Sequence, residues 1–346
     1  MKHQTTRYGE IPFYKIGTFG NTADAFISKK LFLEYKTKYS FPKKGDILIS
    51  ASGTIGRAVI YDGKPAYFQD SNIVWIDNDE TLVKNDFLFY AYSNVKWNTE
   101  YTTILRLYND NFRNTLIPLP PLNEQIAIAN ILSALDRYLC TLDALILKKE
   151  GVKKALSFEL LSQRKRLKGF NQAWQRVRLG DIANYLTSNL SAEQITQQGK
   201  IKVYDVNNFI GYTDTTFISD KPYISIVKDG SVGRVRILPP KTNILSTMGA
   251  LIANRRTTTE FLFYLLSNFD FKNFTSGSII PHIYFKDYKE KTIFLPPLNE
   301  QSAIANILSA LDNEIASLKN KKRQFENIKK ALNHDLMSAK IRVLEK

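Results

Sequence analysis

The sequence is poor in the residues that form disulfide bonds and metal sites. Among its 346 residues the single cysteine is Cys140, which excludes an intramolecular disulfide framework. The three histidines, His3, His282 and His334, are scattered and form no cluster with metal-ligand spacing. We therefore expect no metal ion and no structural zinc in this chain.

Long apolar runs are also missing. No stretch approaches the roughly 18 consecutive apolar residues that a transmembrane helix needs, and the opening MKHQTTRYGEIPFYKIG lacks the apolar core of a signal peptide. A cytoplasmic location is the default expectation. The length and a hydrophobic content of 44% allow two domains with ordinary cores.

Sequence motifs of familiar catalytic sites are absent. The chain has no Asn/Asp-Pro-Pro-Tyr/Phe motif, no glycine-rich S-adenosylmethionine loop after a first strand, no Walker loop and no spaced Ser/His/Asp or Cys/His set. Together these absences predict a chain that binds a partner and does not itself carry out a reaction.

Acidic residues are outnumbered by basic ones, with 33 Asp and Glu against 48 Lys and Arg and a formal net charge of +15. One explanation is a generic lysine-rich surface. The other is a polyanionic partner, because each phosphate neutralised by Lys or Arg releases counterions. The basic residues are clustered and interleaved with Tyr and Phe, which favours nucleic acid. These clusters are Lys29-Lys30, Lys36/Lys38, Lys43-Lys44, Arg234/Arg236 and Arg255-Arg256.

A stretch of twenty residues occurs twice in the chain. IPLPPLNEQIAIANILSALD starts at Ile117 and IFLPPLNEQSAIANILSALD starts at Ile293, 176 positions later, with two differences. Similarity falls sharply between the matched landmarks, so the chain is a tandem pair, one scaffold with two different surfaces. The other landmarks are FLFYAYSN from Phe87 and FLFYLLSN from Phe261, GTIGR from Gly53 and GSVGR from Gly230, and longer segments from Gly9 and Gly199.

Each repeat is predicted to be a mixed α and β domain. Short β-branched and aromatic runs at residues 46–50, 58–61 and 72–76 are separated by Gly, Asp, Asn and Pro, which indicates strands and turns. Residues 87–95 are apolar nearly all round and contain no turn formers. They predict a buried helix packed on the sheet.

A long helix is predicted after the proline pair of each repeat, at Pro120-Pro121 and Pro296-Pro297. Asn123 and Asn299 can cap the first turns, and Gly169 is expected to end the first helix after about 40 to 45 residues. Apolar residues recur at spacings of four and three, which is typical of helices that pack on each other. We expect the two helices to pair with each other, antiparallel. The stripes comprise Ile128, Leu132, Leu135, Leu139, Leu142 and Ile146, and Ile304, Leu308, Leu311, Ile315, Leu318, Phe325, Leu332 and Leu336.

These features resemble the specificity subunit of type I restriction-modification systems. The resemblance covers essentially the whole chain and is carried by the LPPLNEQ elements at Leu119 and Leu295, the two Gly-x-x-Gly-Arg elements and the WQRVRLGDI stretch from Trp174. It implies an α+β fold with two mixed α/β target-recognition domains, separated by two long antiparallel helices that form a coiled-coil spacer with pseudo-twofold symmetry. The implied parts are recognition domains 1–121 and 170–297 and spacer helices 122–169 and 298–346.

The same resemblance implies a non-catalytic DNA-recognition subunit. Each domain would read one half of a bipartite asymmetric DNA site, and the helices would set the gap and dock methyltransferase subunits. The implied partners are double-stranded DNA, two methyltransferase subunits and motor/endonuclease subunits, with no membrane. S-adenosylmethionine, ATP and Mg are expected on those subunits, and no cofactor on this chain. Two other classes remain open, a scaffold whose helices assemble proteins and a nuclease or methyltransferase of unfamiliar design.

The first repeat departs from the family pattern at its start. The second repeat opens with the strand signal from Trp174 to Ile182 and continues for about 20 residues before Gly199, whereas the first begins almost at Gly9. We therefore expect the first domain to lack its own opening strand. Either the residues after Leu336 fill that place, or the chain begins late.

Candidate DNA contacts are basic and amide side chains outside the long helices. Arg57 and Arg234 can grip a phosphate or fork onto guanine, whereas the paired Lys and Arg residues suit backbone contacts. The glycines before these arginines are interpreted as turn glycines, because no Gly-Lys-Ser/Thr follows. Glu124 and Glu300 are expected to meet the helix dipole. The full candidate set is Arg57, Arg234, Lys29, Lys30, Lys43, Lys44, Lys221, Arg236, Arg255, Arg256, Gln69, Asn72 and Asn208.

Overall fold

The computed structural model describes residues 4–68, 72–97 and 106–344. Packing divides the chain into two units. Unit 1 comprises Met1–Asp143 and Asn320–Lys346, and unit 2 comprises Ala144–Lys319.

The described residues of unit 1 form five strands, three short helices and parts of two long ones. Its central antiparallel sheet has the strand order β4-β3-β5, and a second sheet pairs β1 with β2. The elements are β1 (Ile11–Phe13), β2 (Ala25–Ile27), α1 (Lys29–Lys38), β3 (Ile47–Ser50), β4 (Ala58–Ile60), β5 (Ile73–Trp75), α2 (Asn85–Tyr92), α3 (Asn109–Arg113) and the first part of α4 (Leu122–Leu161).

The core of unit 1 is layered, with α2 between the sheet and the long helices. Strand β3 is buried along its whole length, and Ile47 and Ile49 pack against Leu88 of α2. The opposite face of α2 presents Phe87 to a cluster that includes Leu132 of α4. The apolar stretch therefore forms the buried helix that the sequence predicts, since both of its faces are covered, although the helix ends at Tyr92 and not at residue 95.

Unit 2 contains more strands than unit 1. Its main sheet is antiparallel, with the order β11-β10-β13-β7, and β12 pairs in parallel with β8, which also pairs with β9. The elements are β6 (Gln175–Arg178), β7 (Ala183–Thr187), β8 (Ile201–Tyr204), β9 (Phe209–Thr213), β10 (Tyr223–Val227), β11 (Val235–Leu238), β12 (Asn243–Ile244), β13 (Met248–Ala253), α5 (Thr259–Ser267), β14 (Thr275–Ser276), β15 (His282–Ile283), α6 (Phe285–Tyr288), β16 (Thr292–Leu295) and the first part of α7 (Leu298–Met337).

The core of unit 2 repeats the layers of unit 1. Helix α5 lies between the sheet and α7, so Phe261 belongs to the same buried cluster as Ile224 of β10 and Leu308 of α7. Strand β10 is buried throughout, as β3 is, because helix and loop cover its two faces. The two units therefore share one scaffold, as their sequence repeat indicates.

Halves of the two long helices pair inside each unit. In unit 1, Nζ of Lys322 lies 2.7 Å from Oδ1 of Asp143, and Lys329 pairs with Asp136. Lys329 comes after Lys322 in the chain, whereas its partner Asp136 comes before Asp143, so these helix segments run antiparallel. Within unit 2, Lys153 pairs with Asp312 and Lys149 with Glu314, at 2.5 and 2.8 Å, and the direction is again antiparallel. The predicted antiparallel pairing is confirmed.

Each long helix is fixed at its start by the glutamine of the repeated element. Asn123 and Asn299 are the second residues of the helices and accept hydrogen bonds from the next backbone N–H at 3.0 and 2.9 Å, which differs from the N2 or N3 contact of a capping residue. Gln125 accepts from the N–H of Lys84 at 2.8 Å and donates to the Pro120 carbonyl. Gln301 makes the equivalent contacts with Thr258 and Pro296. A buried amide thus ties the start of α4 to the start of α2, and the start of α7 to the start of α5.

The prediction that Gly169 ends the first long helix is wrong. Helix α4 ends at Leu161, and the left-handed residue beyond it is Gln163, with φ of 62°. Helix α7 ends in the same way, with Ala339 at φ of 55° and the N–H of Lys340 bonded to the Asp335 carbonyl. A residue with a side chain can adopt this conformation at a cost of roughly 1–2 kcal/mol, so glycine is not required there.

Strands β6 and β7 of unit 2 have no counterpart among the described residues of unit 1. Strand β6 pairs with β16, and β7 pairs with the edge of β13. The sequence equivalent of β16 in unit 1, residues 116–119, belongs to no strand of the described structure. Strand β5, the equivalent of β13, pairs with β3 alone among the described strands. This matches the expected lack of an opening strand in the first repeat.

The residues after α7 do not supply that strand within the described part of the chain. Residues 338–344 follow α7 as residues 162–168 follow α4. Arg342 pairs with Glu124 and Arg166 pairs with Glu300, both with Nη2 to Oε2 distances of 2.6 Å. These residues therefore occupy the place of the linker before β6 and not that of β6 itself.

Candidate nucleic-acid interface

The two Gly-x-x-Gly-Arg elements form the turns between β3 and β4 and between β10 and β11. Their glycines have positive φ values of 67° and 78° at Gly53 and Gly56, and of 83° and 80° at Gly230 and Gly233. A Cβ on Gly56 would lie 2.1 Å from the indole nitrogen of Trp97. The interpretation as turn glycines is confirmed, because the positive φ values favour glycine at all four positions and close packing also requires it at Gly56 and Gly233.

The arginine of each turn binds the loop between the first two strands of its sheet-rich region. Nη1 of Arg57 donates to the Phe19 carbonyl at 2.9 Å, and Nη1 of Arg234 donates to Oδ1 of Asn207 at 3.0 Å. Phe19 lies between β1 and β2, and Asn207 lies between β8 and β9. Both arginines therefore hold a neighbouring loop in place.

The Arg236 side chain interacts with more neighbouring groups than the Arg234 side chain does. Its Nη1 donates to the Asn207 carbonyl at 2.5 Å and its Nη2 to the Asp205 carbonyl at 3.3 Å, while the guanidinium lies 5.2 Å from the ring centre of Tyr204. Two carbonyls and an aromatic ring thus fix the base of the β8–β9 loop. Residue 59 of unit 1, at the equivalent strand position, is a valine.

A third loop meets the same turn in unit 2. Nδ1 of His282 lies 2.6 Å from Oδ1 of Asp229, and the N–H of Gly230 donates to the Pro281 carbonyl at 2.9 Å. Residues 205–208, 229–234 and 277–282 therefore converge, and we call these three loops the loop face of unit 2. Ile279 and Ile280 on it are exposed, so the loop face presents apolar groups beside its arginines.

The loop face contains two of the predicted DNA-contact residues, Arg234 and Asn208, and a third, Arg236 of β11, bonds to its first loop. Asn208 is exposed, and its backbone N–H donates to Oδ1 of Asp205 at 2.6 Å. Asn207, Asp229 and His282 were not singled out in the sequence. The sequence similarity between the segments at Gly230 and Gly53 indicated this turn. No local pattern linked the turn to the other two loops, which lie about 25 and 50 positions away in the sequence.

The other predicted contact residues are distributed over the two units. Lys29 and Lys30 are exposed at the start of α1, and Lys44, Lys221 and Arg255 are exposed in loops. Lys43 forms an exposed ion pair with Asp77 at 3.1 Å. Arg256 is half-buried, and its carbonyl accepts from Gln301. The Asn72 carbonyl accepts from the N–H of Ala51 at 2.6 Å, and Gln69 lies outside the described residues. Their roles in binding DNA stay predictions.

The predicted helix-packing residues fall into two groups by burial. In the first stripe half-buried residues lie between buried ones, whereas in the second stripe half-buried and buried residues alternate after Leu308. The buried ones are Ile128, Leu132, Leu142, Ile304, Leu308 and Ile315, and the half-buried ones are Leu135, Leu139, Leu311 and Leu318.

Polar contacts flank these apolar stripes in each unit. The Tyr90 hydroxyl donates to Oδ2 of Asp136 at 2.8 Å, and the Tyr264 hydroxyl donates to Oδ2 of Asp312 at 2.8 Å. Burial, followed by the hydrogen bond to the carboxylate, raises the pKa of both tyrosines. Each aspartate closes the twenty-residue repeat and each tyrosine belongs to FLFY, so the repeat itself contained the signal for this contact.

Glu124 and Glu300 interact with more than the helix dipole. Glu124 is nearly buried and receives two hydrogen bonds from Arg342, which hold the pKa of its carboxyl below the ordinary value. Glu300 receives the same pair of bonds from Arg166 and a third, of 3.0 Å, from Nε1 of Trp174. Sequence spacing alone gave no sign of these long-range partners.

Metal and membrane sites were sought in the described residues. Within them, no three His, Cys, Asp or Glu side chains come together as a metal site would require. None of the helices in residues 4–68, 72–97 and 106–344 has the length and apolar character needed to span a bilayer. Cys140 is an exposed free thiol.

Two like domains with different loops, each joined to halves of the same two helices, define a modular recognition protein. The sequence matches the family of type I restriction modification DNA specificity domains at residues 1–149 and 171–327. The chain belongs to this family, and both units contain a copy of its domain.

Relatives agree with this assignment, and a solved structure has a similar fold. The chain is 63% identical over 137 residues to a type I restriction enzyme specificity subunit of Haemophilus influenzae, a match covering 39% of this chain and 36% of that protein. It is 25% identical to a specificity subunit of Methanocaldococcus jannaschii over 92% of this chain and 84% of that one. The fold resembles the crystal structure of the type I system S subunit from M. genitalium, with a TM-score of 0.64 and 20% identity over 97% and 91% of the two chains.

Proposed function

We propose that this chain is the DNA-recognition subunit of a type I restriction-modification complex. Each unit reads one half of a bipartite, asymmetric DNA site. The observation that carries the proposal is that both units share one scaffold but have different surfaces. Unit 2 has an arginine-bearing loop face, whereas the corresponding region of unit 1 is built differently. Different surfaces on like domains suit a site whose two halves differ in sequence.

The two long helices determine the gap between the half-sites. Each has 40 residues, or about 60 Å at 1.5 Å per residue, close to two turns of B-form DNA at about 34 Å each. The sequence repeat also offers two equivalent surfaces on which two identical methyltransferase subunits dock.

The chain carries no catalytic activity of its own in this proposal. Methyltransferase subunits supply adenine methylation with S-adenosylmethionine, and motor/endonuclease subunits use ATP and Mg. The lack of familiar catalytic motifs in the sequence supports this division of roles.

Mapping of methylated adenines tests the proposal. The protein is expressed with its methyltransferase subunits in cells that lack other adenine methylation, and genomic DNA is sequenced for modified bases. A two-part motif with a fixed spacer of about 5 to 8 base pairs is expected by similarity to the family. Exchange of residues 170–292 for those of a relative should then change one half of the motif. A change in both halves would refute the modular assignment.

DNA binding itself separates this function from a protein scaffold. If phosphates are neutralised, the logarithm of the binding constant falls linearly with the logarithm of the salt concentration. A scaffold whose positive charge is incidental would show a flat salt dependence.

A further inference from the structure

A hairpin on the loop face of unit 2 carries two isoleucines at its tip. Strand β14 pairs with β15, so residues 277–281 form the tip of this hairpin. Ile279 is 93% exposed and Ile280 is 54% exposed. A side chain as exposed as Ile279 gains almost nothing from burial in the core, and neighbouring apolar groups left in solvent mark interaction sites. The tip therefore presents a compact apolar group to the partner of the loop face.

The hairpin is held firmly against the turn between β10 and β11. The N–H of Gly230 donates to the Pro281 carbonyl at 2.9 Å, and Nδ1 of His282 lies 2.6 Å from Oδ1 of Asp229. Ile283, the next residue, is 1% exposed and belongs to the main core of unit 2. The base of the hairpin is thus fixed both to the neighbouring turn and to the core.

The tip itself is tightly closed. Gly277 has a φ of 89°, and a Cβ there would collide with the carbonyl oxygen of Ile280. Pro281 restricts the backbone at the other end of the tip. A loop closed in this way presents Ile279 in a fixed position, so little conformational entropy is lost when a partner binds.

The charges around the tip suit a phosphate-bearing partner. Arg234 on the neighbouring turn and Lys272, just before β14, are exposed. Both carboxylates of the loop face are already engaged, because Asp229 contacts His282 and Asp205 accepts two backbone N–H groups of its own loop at 2.7 and 2.6 Å. An apolar tip among exposed cations matches DNA, where an apolar side chain inserts between base pairs while cations bind the phosphates.

We propose that Ile279 is a wedge that inserts between two adjacent base pairs of the half-site bound by unit 2. This role rests on the proposed function, in which unit 2 reads DNA. Insertion unstacks one base step and bends the duplex, and pyrimidine–purine steps such as TA and CA open most easily. Ile279 is therefore a specificity-determining residue that makes no hydrogen bond to a base, because it selects a step by the ease with which that step opens.

The test uses the full chain assembled with its methyltransferase subunits and duplexes that contain the mapped methylation motif. Exchange of residues 170–292 identifies the half of the motif that unit 2 reads. Permanganate oxidises unstacked thymines, and energy transfer between dyes at the two DNA ends reports bending. The thymine opposite the methylated adenine is left out of the comparison, because a methyltransferase extrudes its target base. We expect one reactive step in that half-site and a bend of about 20° or more.

Matched variants assign the opened step to the wedge. Ile279→Ala should weaken binding to the motif about tenfold and abolish both the reactive step and the bend, whereas Ile279→Leu keeps a large apolar group and should retain them. Ser278→Ala, at the exposed neighbouring position, should bind as the wild type does. Replacement of the opened step by a stiff AA step should weaken the wild type much more than Ile279→Ala. Circular dichroism checks that each variant is folded.

Three results would overturn the wedge. One is wild-type binding with neither a bend nor a reactive thymine in the half-site of unit 2. Another is an Ile279→Ala variant that binds and bends DNA as the wild type does. The third is loss of the methyltransferase subunits from the Ile279→Ala complex during purification, which would make the tip a protein contact. A mapped bipartite motif together with any of these results refutes the wedge alone, whereas a chain that directs no bipartite methylation refutes the proposed function as well.

Discussion

Nη2 of Arg342 lies 2.6 Å from Oε2 of Glu124, and this contact joins the segment after α7 to the first turn of α4 within unit 1. The glutamate is nearly buried and the arginine half-exposed. The pair therefore holds the end of the second repeat against the start of α4, the long helix of the first repeat.

The first prediction concerns acid stability. The pKa of Glu124 is lowered, mainly by the hydrogen bond from Arg342, so its contribution to stability is complete above about pH 4.3, the ordinary value, and is lost as the pH falls through the lowered pKa. The Glu124→Gln variant should have a lower free energy of unfolding than the wild type at neutral pH. This difference should shrink as the pH falls through the lowered pKa of Glu124. Urea unfolding between pH 6 and 3 measures both. A difference that is constant with pH would contradict the assignment.

The second prediction concerns the two equivalent helix cores. Leu132 and Leu308 are both fully buried, so Leu132→Ala and Leu308→Ala should each lower the free energy of unfolding by about 2–5 kcal/mol. Leu147→Ala, at a position that is 69% exposed, should change it by no more than about 0.5 kcal/mol. Denaturant unfolding followed by circular dichroism gives the values. Similar losses in all three variants would refute the assigned packing faces.

The third prediction concerns Arg234 and the loop face. Its guanidinium donates to Asn207, so Arg234→Ala should free the β8–β9 loop and weaken DNA binding at one half-site by roughly tenfold. Arg234→Lys keeps the charge but not the directed bond, so we expect it to recover little affinity. Titration with DNA altered in one half at a time provides the measurement. Full recovery by lysine would show that only the charge matters.

Exposed lysines provide the comparison for that experiment. Lys221 is exposed in the loop between β9 and β10. If it contacts a phosphate, Lys221→Ala should reduce the slope of log affinity against log salt by about 0.9 and weaken all sequences equally. Sequence-dependent weakening would instead assign a base contact to Lys221.

The fourth prediction concerns helix length. Insertion of seven residues after Asp143 and again after Lys319, at the boundaries between the units, should lengthen each helix by about 10 Å. At 3.4 Å per base pair, the methylated motif should gain about three base pairs between its halves. Insertion of two residues at both sites rotates the apolar stripe by about 200° and should abolish folding or methylation. An unchanged gap after the longer insertion would disprove the spacing role.

The sequence repeat was sufficient to predict the scaffold, because periodic apolar residues and paired prolines are local signals. Leu132 and Leu308 were identified by spacing, and the start of α4 after Pro121 followed from the geometry of proline. The helix end at Gln163 was missed, since a non-glycine residue in the left-handed region has no sequence signature. The ion pair of Arg342 and Glu124 joins residues 218 positions apart, and no local pattern reports such a contact.

The candidate interface was predicted less completely than the scaffold. Arg234 and Arg236 were recognised as important from their residue type and the Gly-x-x-Gly-Arg pattern. Their actual partners, Asn207 and Tyr204, come from a different hairpin whose position depends on tertiary packing. Polar loop residues are abundant in any sequence, so type alone could not separate those that converge from those that are merely solvated.

The division of the chain into units bears on how it folds during synthesis. Unit 2 is one continuous stretch, whereas unit 1 needs Asn320–Lys346 to complete its helical layer. Ribosomes add about 5–20 residues per second, so unit 2 can fold before Asn320–Lys346 has been synthesised. The earlier-made portion of unit 1 then still lacks the segment that completes its helical layer. During that interval Leu132 and Phe87 lack the cover that Leu336 provides.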